Sequence, residues 1–439
     1  MTLNITRLAT TADDFDARLD DLLAWDTRED ADVVRIAREI IESVRSQGDQ
    51  AVIRLTAELD GVPCASVAEL ELTPADFQRA YQAIPDAERD ALTHAAQRIR
   101  DFHERQRAAD WSFEDALGNR LGQRITPLAR VGLYVPGGQA TYPSTALMTA
   151  IPAKVAGVPE VIMVTPTPAG EASPLLLAAA HVAGIDRAFR IGGAQAVAAL
   201  AYGTPSIPRV DKIVGPGGAF VAAAKRLVFG QVGIDLIAGP SEVLVIADGS
   251  TPVDWVVMDL FSQAEHDAAA QALLVTPDAA YLDAVADTMQ RLLPARSREA
   301  LIRQSLNDRG ALILTRDLAE AFVVANRIAP EHLELAIAEP ADHLSQVHHA
   351  GAIFLGSHSG EVMGDYVAGP SHVLPTYGTA RFSSPLGVYD FEKRSSVIEL
   401  SAKGVQPLAQ TAATLARGEG FEAHARAAEL RLKDIDHNL

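Results

Sequence analysis

Gln263 and His266 stand three residues apart in Phe261-Ser-Gln-Ala-Glu-His-Asp267, at the end of an apolar run with helical spacing. On a helix, side chains at that separation share a face. An amide oxygen paired with an imidazole reads either as a solvated helix end or as half of a metal site. Three other places set ionisable groups in unusual surroundings. Glu331 and His332 interrupt the apolar run IAPEHLEL, and Asp365 precedes His372 by seven residues in GDYVAGPSHVLP. Glu419 and His424 bracket the start of the last helix in EGFEAHARAAEL. Zinc accepts imidazole, carboxylate and carbonyl oxygen ligands, and a catalytic site keeps one position open for substrate. An adjacent Glu–His pair suits two bases with different tasks. Such a set fits dehydrogenation of an alcohol or metal-assisted hydrolysis, and the residues alone do not choose. The other histidines need less. His94 and His103 fall on a polar helix face and read as solvated, and His181 ends a helix whose dipole favours a cation. His343, His348, His349, His358 and His437 lie in polar segments without a partner pattern.

These groups need elements to hold them. Residues 33–59 and 74–108 carry apolar positions at helical spacing and read as amphipathic helices. From Val131 the pattern changes to short apolar runs that end in glycine turns and lead into helices: 131–138, 160–168, 187–195 and 211–220. A second series follows over 242–248, 272–278, 311–315 and 351–356, with a helix from about 250 to Asp267. Strand–turn–helix repetition of this kind is the mark of parallel sheets. Tyr134-Val-Pro-Gly-Gly138, Gly192-Gly-Ala-Gln195 and Gly215-Pro-Gly-Gly218 fall at strand ends, where glycine lets the backbone approach a phosphate. No GxGxxG opens a unit, so the fold reads as two incomplete Rossmann-like α/β modules. A small helical N-terminal segment and a helical C-terminal tail complete it.

Composition narrows the partners. The 439 residues, 48% of them hydrophobic, are ample for more than one buried core. With 38 basic against 57 acidic residues the net charge is −19, which disfavours nucleic acid and anionic membranes. Cys64 is the sole cysteine, so no intrachain disulfide or thiolate cluster is available, and it lies far from any strand-end turn. The N-terminus lacks a signal-peptide pattern, and the longest apolar region is broken by Pro152, Lys154 and Pro159. A cytoplasmic enzyme is expected.

The ordered segments RVGLYVPGGQATYPS (130–144), IGGAQAVAALAYGT (191–204), GIDLIAGPSEVLVIAD (233–248), DLFSQAEHD (259–267), NRIAPEHLEL (326–335), GDYVAGPSHVLPT (364–376) and EGFEAHA (419–425) closely resemble the histidinol dehydrogenase family. That resemblance implies an oxidation of L-histidinol through L-histidinaldehyde to L-histidine, the last steps of histidine biosynthesis. It implies NAD as acceptor, one zinc ion per subunit and an intertwined homodimer. Matched residue by residue, the zinc ligands are Gln263, His266, Asp365 and His424, the last from the partner subunit, with Glu419 also expected across the interface. Glu331 and His332 match the acid–base pair, with neutral His332 taking the hydroxyl proton and Glu331 activating water. Ser241, His332, Asp365, His372 and Glu419 match substrate contacts, as do the zinc ligands. Tyr134, Gln195 and the Gly218 position match nucleotide contacts. The expected organisation is an N-terminal segment (1–27), a discontinuous catalytic α/β domain (28–133 and 241–388), a nucleotide-binding α/β domain (134–240) and a dimerising tail (389–439).

Two positions depart from the family pattern. Gly218 stands where the family usually has Asn, which removes a side-chain amide from the nucleotide site, and Ser371 replaces an Asn before His372. Within the family, a paralogue oxidising another primary alcohol, such as a sulfonated diol, is the alternative. Glu361, Glu419 and His372 favour a cationic, imidazole-bearing substrate over a sulfonate, which would call for Arg or Lys.

Overall fold

A computed structural model describes residues 3–24, 31–137, 141–168 and 170–433. Gly138 of the first glycine turn, His437, and residues 25–27 of the expected N-terminal segment lie outside them. The chain forms two compact units, the larger comprising Met1–Gln106 and Ala129–Phe391.

The larger unit holds two six-stranded sheets. In the first, Arg130–Tyr134 lies between Glu160–Val164 and Lys212–Val214, with Arg187–Phe189 and Gly233–Ile234 beyond them, all parallel. Glu71–Leu72 closes one edge antiparallel. Strands covered on both faces read as continuous apolar runs, and Val131, Leu133, Ile162, Met163 and Ile213 are fully buried. Helices Ala31–Gln47 and Asp49–Leu59 complete this core, where Ala37, Ile41, Val44 and Leu55 pack with Leu200 and Val228. Residues 31–70 thus share a core with 130–232, whereas the sequence reading joined 28–133 to 241–388. An amphipathic helix declares that one face will be covered, but not by which sheet.

The second sheet is parallel throughout, in the order Thr6–Ala9, Ala311–Leu314, Gln271–Thr276, Glu242–Ala247, His332–Ala336, Ala352–Leu355. The strands expected at 242–248, 272–278, 311–315 and 351–356 are present. Two were not foreseen. The N-terminal segment, read as helical, opens on the strand Thr6–Ala9 before the helix Phe15–Leu23, and Leu8, Phe15 and Leu19 join this module's core. The segment carrying Glu331 and His332 becomes the strand His332–Ala336, buried along its length.

The second unit comprises Arg107–Leu128 and Glu392–Leu439. Its strands Glu392–Glu399, Arg120–Pro127 and Trp111–Glu114 form an antiparallel sheet, followed by helices Ala402–Gly418 and Glu422–Lys433. The tail is therefore strand first and helical afterwards. Ser401 caps the longer helix by accepting the Gly404 N–H at 2.8 Å. Among the described residues, no helix is long and apolar enough to cross a membrane.

Candidate active site

A cavity of about 590 Å³ opens in the larger unit, lined by the turns after strands Arg130–Tyr134 and Lys212–Val214 of the first sheet and by residues at the start of strands Glu242–Ala247 and His332–Ala336 of the second. Parallel α/β sheets bind ligands at the carboxyl ends of their strands, and the first sheet presents those ends to the cavity. Ser241, His266, Glu331, His332, Asp365, His372 and Gly218 all face it.

The Glu331–His332 pair is held by one neighbouring residue. Strand Glu242–Ala247 runs parallel to His332–Ala336 with Val243 opposite His332, which brings the Glu242 peptide beside both side chains. The Glu242 N–H donates to Glu331 Oε2 at 2.9 Å, and the Glu242 carbonyl accepts from His332 Nδ1 at 2.9 Å. His332 Nε2 is left without a hydrogen-bond partner, 3.6 Å from Asp365 Oδ1. Nδ1 lies 3.7 Å from Glu331 and 3.9 Å from Glu361. Burial pushes Glu331 up to about 8. Burial opposes the charged form of His332, but the carboxylates of Glu361, Glu331 and Asp365 outweigh it and raise His332 well above the usual imidazole range. Three carboxyl groups thus converge on the ring that the resemblance assigns as the base.

The metal-ligand candidates gather only in part. Helix Val253–Ala264 ends before His266, which sits in the following turn with its N–H on the Gln263 carbonyl. Gln263 Nε2 is nevertheless 3.4 Å from His266 Nδ1. Gln263 Oε1 is buried with no hydrogen-bond partner. A buried acceptor left unsatisfied is costly unless something fills its lone pairs, and a cation would. Asp365 lies on the short helix Glu361–Tyr366. Burial works against its carboxylate, but the adjacent His332 outweighs that and lowers its pKa. Gln263, His266 and Asp365 therefore fit an oxygen- and nitrogen-ligated metal ion. Counting only imidazole and carboxylate groups, the set that gathers among the described residues is His332, Glu361 and Asp365, with ligand atoms within 4.8 Å of one another. It shares one member, Asp365, with the expected set. Glu419 and His424 belong to the second unit, where Glu419 follows the helix Ala402–Gly418 and the His424 ring lies 5.3 Å from Phe421.

His372 donates from Nδ1 to the Asp365 carbonyl at 3.0 Å, and its Nε2 is 3.2 Å from the Thr145 hydroxyl. Both ring nitrogens are thus engaged. Ser371 accepts the Val373 N–H and steadies the same loop.

The nucleotide candidates lie at the carboxyl edge of the first sheet. Tyr134 is buried, and its hydroxyl accepts the Gly193 N–H at 3.0 Å. Gln195 donates to Asp60 at 3.2 Å, while its Oε1 is buried and unpartnered, as are the hydroxyls of Thr165 and Thr167. At Gly137 a Cβ would meet the Pro166 carbonyl at 2.3 Å, so only glycine admits this approach. Gly215 has φ 111°, and a Cβ there would lie 2.2 Å from the Tyr134 carbonyl. Gly217, Gly218 and Ala219 open the helix Ala219–Val228 towards the cavity, where its N–H groups suit an anion. These turns and unsatisfied acceptors fit a dinucleotide. Nothing lies within 4 Å of where a Gly218 Cβ would stand, so the family's larger residue has room there.

Some residues that shape the site escaped the sequence reading. Glu242 and Glu334 are buried carboxyl groups inside the strands EVLVIA and HLELA, and a lone acidic residue in an apolar run was the signal available. Burial pushes Glu242 up to about 7 and Glu334 up to about 8. Glu242 also accepts the Tyr377 N–H at 2.6 Å, holding that residue at φ 58° against Gly239 on the cavity wall. His103, read as solvated, is fully buried and bonded through Nδ1 to the Ile99 carbonyl.

Residues 24–432 match the histidinol dehydrogenase family. The histidinol dehydrogenase of Pseudomonas syringae pv. tomato is 58% identical over 432 residues, covering 98% of this chain and 96% of that protein. That of Pseudomonas aeruginosa is 59% identical over 430 residues, covering 98% of each. The crystal structure of histidinol dehydrogenase from Elizabethkingia anophelis superposes with a TM-score of 0.92 at 31% identity, over 98% of this chain and 99% of that one. Agreement of that extent, in sequence and in backbone, makes the chain a member of the histidinol dehydrogenase family, an oxidoreductase of histidine biosynthesis.

Proposed function

We propose that this cavity oxidises L-histidinol through L-histidinaldehyde to L-histidine, with Glu331 and His332 as its acid–base pair. The observation that carries the reading is the Glu242 peptide, whose N–H and carbonyl orient both members of the pair at the cavity wall. With Nδ1 committed to a carbonyl, His332 presents Nε2 to the hydroxyl proton of the alcohol. Its raised proton affinity rests on three carboxylates. A substrate ammonium beside Asp365 neutralises one of them and brings His332 towards the range in which a base works. Glu331, held by the N–H of the same Glu242, takes a proton from the water that hydrates the aldehyde. NAD, when bound, would supply the hydride acceptor, and Gln263, His266, Asp365 and the partner subunit's His424 would hold a zinc ion, which would supply a Lewis-acid anchor for the substrate. Ser241 and His372 line the substrate end and Glu419 of the partner subunit completes it, while Tyr134, Gln195 and the turn at Gly218 serve the nucleotide.

Among the described residues, Glu331, Asp365 and Asp267 line the cavity against one guanidinium, Arg226. That balance favours a cationic amino alcohol over a sulfonated diol. A homodimer is supported by apolar side chains left exposed on the second unit, Ile398, Leu415 and Phe421 among them. The acidic net charge and single cysteine agree with a cytoplasmic setting.

The deciding measurement is steady-state NADH formation from L-histidinol, before and after chelation and beside sulfopropanediol. Turnover of L-histidinol that chelation removes and zinc restores is the expected result. Preference for the sulfonated diol, or turnover indifferent to chelation, would sink the reading.

A further inference from the structure

Glu334 lies two residues after His332 on the strand His332–Ala336, so both side chains leave the sheet on the same face. Its carboxyl group is buried, and one oxygen accepts the Glu361 N–H at 2.5 Å. That N–H opens the short helix Glu361–Tyr366, which carries Asp365. The same carboxyl is hydrogen-bonded to Asp259. Asp259 lies on the helix Val253–Ala264, one turn before Gln263, and His266 follows from the end of that helix. A Cβ at Gly360 would meet Asp259 Oδ1 at 2.9 Å, so the start of the Asp365 helix is seated directly on Asp259. One buried side chain therefore joins the strand of His332, the helix of Asp365 and the helix that delivers Gln263 and His266.

We infer that Glu334, with Asp259, is the positioning joint that sets the spacing of Gln263, His266 and Asp365, and so the affinity for zinc, without touching the ion. This rests on the reading of those three residues as ligands. The joint works by geometry. Metal ligands must be placed to within a fraction of an ångström, and two helices approaching from different parts of the chain have no covalent means of keeping that spacing. Glutamine at 334 preserves both bonds, because its carbonyl accepts from Glu361 and its amide donates to Asp259. Alanine removes both and leaves a buried N–H and a buried carboxyl without their partner.

The test measures zinc dissociation by chelator competition on the purified enzyme, with NADH formation recorded alongside. Glu334→Ala is expected to bind zinc about 10–100-fold more weakly, as removal of outer-shell partners does, with Glu334→Gln staying within about threefold of wild type. A folded Glu334→Ala enzyme with wild-type zinc affinity, or a Glu334→Gln enzyme as impaired as the alanine variant, overturns the joint. Should Glu334→Ala not fold, Asp259→Ala breaks the same joint from the other helix: weakened zinc binding supports it and unchanged affinity overturns it. His266→Asn separates the two levels of inference. If it too leaves zinc affinity unchanged, the ligand assignment has failed. If it alone weakens binding, only the joint has.

Discussion

His332 owes its orientation to a peptide group, so its side chain can be removed without disturbing the strands that hold it. His332→Ala is expected to lower turnover by about 10²–10⁴-fold, the usual contribution of a positioned base, while zinc stays bound. Metal analysis beside NADH kinetics checks both halves, and loss of zinc would show that the imidazole does more than move a proton. Glu242 makes a different prediction. Burial lifts its folded pKa to about 7, against an ordinary value of 4.5. The folded state thus holds a proton that the unfolded state releases, so this contribution is complete below pH 4.5 and is lost as pH rises through 7. The shift corresponds to about 3 kcal/mol at most. Glu242→Gln has no proton to lose, and its melting temperature should fall less than wild type between pH 5 and pH 8. Equal slopes would show that Glu242 does not govern the dependence. At Gly218 the open space around the Cα predicts that Gly218→Asn folds with unchanged melting temperature and has a several-fold lower KM for NAD, read from initial rates.

At the scale of elements, the turn after strand Lys212–Val214 is clamped from inside. Lys225 donates to the Gly215 carbonyl at 2.9 Å and pairs with Asp235, whose other oxygen accepts the Gly215 N–H at 2.7 Å. The pair is almost fully buried, with side chains 3% and 2% exposed. Lys225→Met leaves Asp235 as an uncompensated buried charge, at a cost of about 3–5 kcal/mol. It should lower the melting temperature and raise the KM for NAD more than it changes the KM for L-histidinol. Equal effects on both would place the turn away from the nucleotide. Little of this was legible in advance. Strand runs such as EVIMV announce themselves because burial on both faces leaves no polar alternation. HLELA did not, because His332 and Glu334 break the apolar run. Thr6–Ala9 was also hidden, since its partner strand among the described residues, Ala311–Leu314, lies about 300 residues further along the chain. The glycine turns and the Gln263–His266 pairing could be seen locally. The Glu242 peptide between Glu331 and His332 could not, because strand register decides it.

For the whole molecule, the reading requires two copies of the chain. If the partner subunit's His424 completes each site, His424→Ala and His266→Asn enzymes are each inactive alone. Unfolded together and refolded, they should form heterodimers with one intact site and recover NADH formation. A mixture that stays inactive, with heterodimers confirmed by mass, would show that every ligand comes from one chain. The larger unit also draws its N-terminal strand into a sheet whose remaining strands all lie beyond Glu242. On the ribosome, Thr6–Ala9 emerges long before Ala311–Leu314, against which it must lie. At about 5–20 residues per second it waits roughly 15–60 s with its edge unpaired. The second α/β module therefore cannot close while the chain is being made from its front. Its assembly is deferred until synthesis is well past the midpoint, and through that interval the nascent N-terminus is a surface for chaperones to guard.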